Sequence, residues 1–427
     1  MSYYVSPTDP PLRGRRVMDL RELGQRLRYA REFRGLSQQS TAEAIGVTRT
    51  AITQMESGNR SVSTLELSKL AECFRRPISF FFQEAAEEQD IFVALYRTAP
   101  ELNVDPIVRD QVWERLNLCQ EGVTLKEILG LESRTGLPTF DFRSPRTKGD
   151  AITQGNKAAI EERRRLGLGE SPVHGISELI VSQGIWASDA ELPNGVSGLF
   201  LNHFSFGLAI VVNANHSRGR KQFSYAHEYA HALMDRNGQL TVSSSGNSSE
   251  LVEVRANAFA ASFLMPADGV YDLLRNLELK TPYHRVQTVY NAASGGSSEG
   301  VIRTESSSRT VTFKDIAKVA HRFGVSYQVA LYRLKSLKLL SEKETNRQIA
   351  LEEFGRQFLN ELSDADSVER KDDIQRSGRE LRFEVANLAI EAYRQEEISQ
   401  GRLLELSKML KIDGPRFLDF AAKARGD

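Results

Sequence analysis

Arg220-Lys221-Gln222-Phe223-Ser224-Tyr225-Ala226-His227-Glu228-Tyr229-Ala230-His231 is the stretch whose reading decides the fold of the central part of this chain. Phe223, Ala226, Ala230 and Leu233 recur at three- and four-residue steps, which predicts a helix buried along one stripe. On such a helix His227 and His231 lie just over one turn apart, so both imidazoles leave the same face. Two neutral imidazoles at that spacing suit a divalent transition metal, zinc above all. Glu228 is rotated by about 100° from His227. It therefore stands beside a metal rather than on it, where a carboxylate can take a proton from water and hand it to a leaving amine. The chain has seven histidines in 427 residues, so composition alone rarely produces H-E-x-x-H.

A catalytic zinc site needs a third protein ligand and an open position. His174, His203, His216, His284 and His321 are scattered and carry no supporting motif. The better candidates sit on the next predicted helix, from about Leu251 to Leu264, which Pro266 stops. Glu253 is on it, and Glu250, three residues earlier, can share its face.

A second motif lies nearer the N-terminus. Residues 36–58, Leu36-Ser37-Gln38 through Glu56-Ser57-Gly58, read as a helix, a glycine turn at Gly46 and a second helix. Ala42, Ile45, Ile52 and Met55 face inward. Thr48, Arg49, Thr50, Thr53 and Gln54 remain outward on the second helix, and Arg and Gln can contact base edges in a major groove. Gln38, Asn59 and Arg60 are placed for backbone contacts that fix register. Net charge over the whole chain is +0, with 56 basic and 56 acidic side chains. Over residues 11–83, 13 Lys/Arg face 7 Asp/Glu, a local excess of +6. Arg13, Arg15, Arg16, Arg21, Arg26 and Arg28 crowd the first helix and its approach, an excess compatible with a nucleic-acid surface.

The remaining composition is that of a globular protein, 40% hydrophobic and 26% charged. A core of this size folds without a metal staple, so the histidine motif reads as functional. Cys73 and Cys119 sit in apolar helical patterns and read as reduced, buried thiols; with no CxxC, a cysteine-based finger is excluded. Asp9-Pro10-Pro11 interrupts any signal-peptide run, and no apolar stretch reaches the roughly 20 residues of a membrane span. The expectation is a soluble, cytoplasmic protein with no membrane partner.

The organisation follows. Residues 19–83 form a compact helical domain. Residues 84–155 are a connector: an acidic stretch from Glu84 to Asp90, a helix around Val108–Leu131, and a linker around Pro138, Ser144, Pro145 and Gly149. Residues 156–290 have α+β character. A helix spans Lys157–Leu166 and another ends near Gln183. Short strands follow at 185–187, 198–201 and 208–212, and Ser243–Ser249 is a flexible loop. Residues 291–310 read as a mobile Gly/Ser-rich loop. Residues 311–427 are a helical extension, in which Phe313–Leu337 again reads helix-turn-helix, with a DNA and a packing role equally open. Arg322, Arg333, Lys335 and Lys338 there read as a solvated face.

The histidine segment, the motif Glu253-x-x-Ala256-Asn257-x-Phe259-Ala260 ending in Leu264-Met265-Pro266, and the preceding Ile210-Val211-Val212-Asn213 together resemble the ImmA/IrrE metallopeptidases. The resemblance covers about residues 155–290. It implies a zincin-like α+β domain, with His227, His231 and Glu253 as ligands to Zn2+ (or another divalent metal such as Mn2+) and Glu228 as the catalytic base. Tyr229-Ala230 departs from the Leu-Gly that many members carry. Residues 20–82 resemble the XRE/Cro helix-turn-helix regulators, which implies double-stranded DNA as a partner and is compatible with a homodimer on paired half-sites. Together they imply a transcriptional regulator fused to a zinc-dependent endopeptidase that cleaves a repressor-type protein in a stress or mobile-element response. Two alternatives stand beside it. One is a non-catalytic regulator whose peptidase-like domain senses a ligand, metal or partner. The other is one member of a toxin–antitoxin or phage-immunity pair.

Overall fold

The structure is a computed structural model. It describes residues 19–74, 76, 78–82, 102, 105–131, 136–203, 205–236, 240–277, 284–291, 296–303, 311–365 and 380–423. Two units separate, Met1–Val93 and Ala94–Asp427. The acidic stretch Glu84–Asp90, the arginines at 13, 15 and 16, and Asp9-Pro10-Pro11 lie outside the described residues.

Among the described residues of the first unit, four α-helices follow in order: α1 (Leu20–Phe33), α2 (Gln38–Ile45), α3 (Arg49–Glu56) and α4 (Thr64–Phe74). Each of the first three begins at a side chain that satisfies a free backbone N–H. Asp19 caps α1, Ser37 caps α2 and Thr48 caps α3. The turn between α2 and α3 needs a left-handed residue, and Gly46 supplies it at φ +77°. Leu27, Ile52, Met55, Leu70 and Phe74 close the core. A buried carboxylate ties three helices together. Glu56 accepts from Arg31 Nε at 2.5 Å and Nη2 at 3.0 Å, and from Gln38 Nε2 at 2.9 Å. Arg26, counted with the basic excess in the sequence, is buried as well, and its Nη1 donates to the Phe81 carbonyl at 2.9 Å. Its charge serves packing rather than a nucleic-acid surface.

The second unit is built on a four-stranded sheet. Its strands are β1 (Trp186–Ala190), β2 (Val196–His203), β3 (Gly207–Asn213) and β4 (Leu240–Ser244), in the order β1-β3-β2-β4. β1 runs parallel to β3, while β2 is antiparallel to both β3 and β4. Around it lie α5 (Pro106–Ile128), α6 (Lys148–Arg165), α7 (Ile176–Ser182), α8 (Arg218–Met234), α9 (Leu251–Leu264) and α10 (Ala267–Asn276). α8 packs on β2 and β3, and α9 lies between α8 and α6. β5 (His284–Asn291) and β6 (Gly296–Arg303) form an antiparallel pair. Among the described residues seven helices follow: α11 (Phe313–Phe323), α12 (Tyr327–Ser336), α13 (Glu342–Ile349), α14 (Glu352–Ala365), α15 (Glu380–Arg394), α16 (Gln400–Leu410) and α17 (Gly414–Lys423).

Several local expectations change here. Ser243 and Ser244 belong to edge strand β4 rather than to a loop, because their backbone pairs with β2. The Gly/Ser-rich run is not wholly irregular: residues 296–303 pair with 284–291. α6 starts at Lys148, nine residues before the expected helix, because Thr147 and Asp150 form a reciprocal capping box. The stretch read as a linker is held down. Leu137 is buried in the core, and the Phe140 N–H donates to the Leu233 carbonyl at 2.9 Å.

α11 and α12 do form a helix-turn-helix, but its packing removes it from solvent. Ile316, Ala320, Ala330 and Leu334 are fully buried in the same core as α8 and α9. A Cβ on Gly219 of α8 would lie 2.5 Å from the Ser326 backbone nitrogen. The start of α12, the part that would enter a DNA groove, is thus pressed against α8. Arg333 is likewise 6% exposed rather than part of a solvated face.

Candidate metal centre and nucleic-acid interface

α8 places three kinds of side chain on three faces. His227 and His231 face α9, Glu228 faces β2, and Tyr229 faces α6 and the core. The rotation of about 100° per residue produces this division. Glu253 meets the histidines from the first turn of α9, where a carboxylate also complements the helix dipole. His227 Nε2 lies 3.0 Å from Glu253 Oε2 and 3.2 Å from His231 Nε2. His231 Nε2 lies 3.5 Å from Glu253 Oε1. A tetrahedral zinc with bonds of about 2.0–2.1 Å separates its ligand atoms by about 3.3 Å. The two imidazole nitrogens and the Glu253 carboxylate are spaced to hold such an ion.

The outer ring nitrogens fix the orientation. His227 Nδ1 donates to Asn257 Oδ1 at 2.9 Å, and His231 Nδ1 donates to Asp235 Oδ2 at 3.0 Å. Asp235 is itself paired with Arg255. With each proton on Nδ1, both Nε2 lone pairs point at the Glu253 carboxylate, an arrangement suited to a cation. All three residues are buried, and among the described residues they form the group able to hold a metal ion. Burial opposes a charged His227, but the hydrogen bond to Glu253 and the Glu228 and Glu253 charges outweigh it, so its pKa is raised. A proton thus competes for the place of the metal.

Glu228 is fully buried, and neither of its carboxylate oxygens has a hydrogen-bond partner. Burial raises its pKa; His227, His231 and the nearby Ser243 hydroxyl of β4 oppose that rise. Ser243 is close enough to act on the charge without completing a hydrogen bond, since its Oγ is also without a partner. Space for the carboxylate comes from Gly198 on β2, where a Cβ would lie 2.6 Å from Glu228 Oε1.

Glu250 is exposed at the cap of α9 and does not join the ligands. Tyr229 donates to Glu162 on the opposite side of α8. Tyr225 is buried, with its hydroxyl among the carboxylates of Asp189, Glu178 and Glu380, and Arg220 is exposed. Sequence reasoning gave no role to Asn257, Asp235, Gly198 or Ser243. Asp235 alone had a readable signal, its four-residue spacing from His231 on one helix.

In the first unit, Thr48, Arg49, Thr50, Thr53, Gln54 and Asn59 are exposed. Thr48 also caps α3, and Thr53 Oγ1 donates to Gln38 Oε1 at 3.1 Å. Gln38 is half-buried and held by Glu56, and Arg60 pairs with Glu66 at 2.7 Å. Among the described residues, Arg49, Thr50 and Gln54 are the exposed α3 residues whose side chains no hydrogen bond engages.

Comparison with known proteins agrees with both halves. Residues 182–292 match the Peptidase M78 family, described as IrrE N-terminal-like domain, and residues 27–81 match the Helix-turn-helix family of XRE type. Two HTH-type transcriptional regulators, from Sinorhizobium medicae strain WSM419 and Rhizobium meliloti strain 1021, are each 33% identical over 63 residues. That is 15% of this chain and 45% of each relative, so the chain spans about half the length of the curated relatives it matches. A solved structure, Bacillus thuringiensis PlcR in complex with the peptide PapR7 and DNA, aligns over 95% of this chain and 93% of that one. Its 13% identity and TM-score of 0.15 are too low to show a shared fold. No described helix is long and apolar enough to cross a membrane.

Metal binding needs neutral imidazoles, and the raised pKa of His227 extends proton competition upward from the ordinary value of 6.5. Zinc affinity, measured by chelator competition, should therefore rise with pH between about pH 6 and pH 8. A flat profile would contradict the ligand role of His227.

Proposed function

We propose that this chain, a helix-turn-helix regulator carrying an IrrE-like peptidase domain, is a zinc-dependent endopeptidase that acts on a repressor-type protein. The observation that carries the zinc-peptidase reading is the pairing of a three-atom ligand set with a desolvated, unpartnered carboxylate beside it. When bound, a divalent cation supplies Lewis acidity that activates water and polarises a carbonyl. His227, His231 and Glu253 hold it, while Asn257 and Asp235 keep the two imidazoles aimed. Glu228 takes the proton of the attacking water. As the C–N bond breaks, it delivers that proton to the departing amine nitrogen. Its burial strengthens it as a base, and Gly198 leaves the space its carboxylate occupies.

The helix-turn-helix supports double-stranded DNA as the partner of the first unit, read through Arg49, Thr50 and Gln54. Thr48, Thr53, Gln38, Asn59 and Arg60 set the register of the helix. A homodimer suits paired half-sites.

Zinc-loaded full-length protein incubated with repressors of the same helix-turn-helix type should cut one of them. Glu228→Gln should retain zinc and cleave at least about 10²-fold more slowly. Cleavage by this variant at the wild-type rate would remove Glu228 as the base. On the DNA side, Arg49→Ala with Gln54→Ala should lose discrimination between an operator and a scrambled duplex at fixed salt, by about 1–3 kcal/mol per base contact. Unchanged discrimination would exclude α3 as the reading helix.

A further inference from the structure

The outer face of α9 borders a groove that the metal centre does not use. It lies between α6, α9 and α12 and has a volume of about 930 Å³. Val254, Ala258 and Ala261 of α9 form one apolar wall. Ile152 and Ile160 of α6 and Tyr332 of α12 stand along it at 44%, 58% and 51% exposure. A space of this size and lining is typical of a small-molecule site.

One polar group in it is unusual. Arg333 lines the groove although only 6% of it is exposed. Its Nε donates to the Met265 carbonyl at 3.0 Å, Tyr271 acts on its charge, and among the described residues no hydrogen bond engages its terminal nitrogens. Arg163, the other buried guanidinium of the groove, differs: all three of its nitrogens donate to the carbonyls of Gly169, Ser171 and Phe263. The groove carboxylates do not serve Arg333. Glu170 accepts from the Gly269 N–H and acts on Arg163, and Asp268 is exposed in the first turn of α10. Burial pushes the Arg333 pKa down to about 10, which leaves it protonated at neutral pH. A largely buried guanidinium whose terminal nitrogens meet no carboxylate favours an anion beside it.

We infer that this groove binds an amphipathic small-molecule carboxylate, its hydrocarbon body along α6 and α9 and its carboxylate on the terminal nitrogens of Arg333. The planar guanidinium offers two parallel donors, the geometry that a carboxylate accepts. The site also touches the metal centre from behind. Phe223 and Asn257 line the groove, and Asn257 holds His227 Nδ1. Occupancy of the groove therefore bears on the orientation of a ligand imidazole. The inference rests on the groove and Arg333, and it holds with or without peptidase activity.

Decanoate and its uncharged amide, titrated calorimetrically into full-length metal-free protein, separate charge from shape. Decanoate should bind one per chain and more tightly than decanamide. Arg333→Gln should weaken decanoate by about tenfold or more and leave decanamide nearly unchanged. Ala261→Phe, which fills the groove without touching Arg333, should abolish both while the thermal unfolding transition persists. Absence of decanoate binding to the wild-type chain would overturn the inference, as would equal binding to both variants. So would binding of an apolar peptide with a free C-terminus but not of decanoate, which would mark the groove as a peptide site.

Discussion

Three lone-pair-bearing groups, buried and aimed at one another, repel unless a cation or protons lie between them. That constraint organises the second unit. His227 and His231 come from α8 and Glu253 from α9, so their convergence requires the two helices to pack closely. α6 holds α9 from its far side, and the contact is so close that a Cβ at Gly155 would meet the Arg255 carbonyl oxygen at 2.3 Å. The sheet sets the opposite boundary: β2 and β3 support α8, and Gly198 leaves the Glu228 carboxylate its space. Asp235 and Asn257 then orient the rings. The site is a consequence of helix packing rather than of the H-E-x-x-H spacing alone.

Much of this was legible in the sequence, because the relevant periodicities are local. Four-residue spacing puts His227 and His231 on one face of any α-helix, and the apolar stripe says which face is buried. The same holds for Ala42, Ile45, Ile52 and Met55, all of which are inward or close to it in the first unit. Glu253 needed more, since only tertiary packing separates it from Glu250. The resemblance to a known family chose between them, and the geometry brings Glu253, not Glu250, to the histidines.

What was not legible depends on long-range contacts. Ser243 and Ser244 look like a loop because serine has little preference for strands, yet backbone pairing to β2 makes an edge strand of them. The Gly and Ser content of residues 296–303 hides a paired strand in the same way. The second helix-turn-helix has the local signals of a DNA reader, and nothing within it reveals that Gly219 of α8 covers the start of its second helix. Arg333 reads as a surface charge by composition and is buried by a helix encoded some 70 residues earlier. Tyr229 is beside the ligands in sequence but rotated to the other side of the helix, where it meets Glu162.

The central claim is that two imidazoles and one carboxylate hold a single divalent ion. Anomalous diffraction at the zinc edge from crystals of the zinc-loaded full-length chain addresses it directly. The account predicts one strong peak about 2.0–2.2 Å from His227 Nε2, His231 Nε2 and a Glu253 carboxylate oxygen. No peak there, or a peak coordinated by Glu228 in place of Glu253, would contradict it.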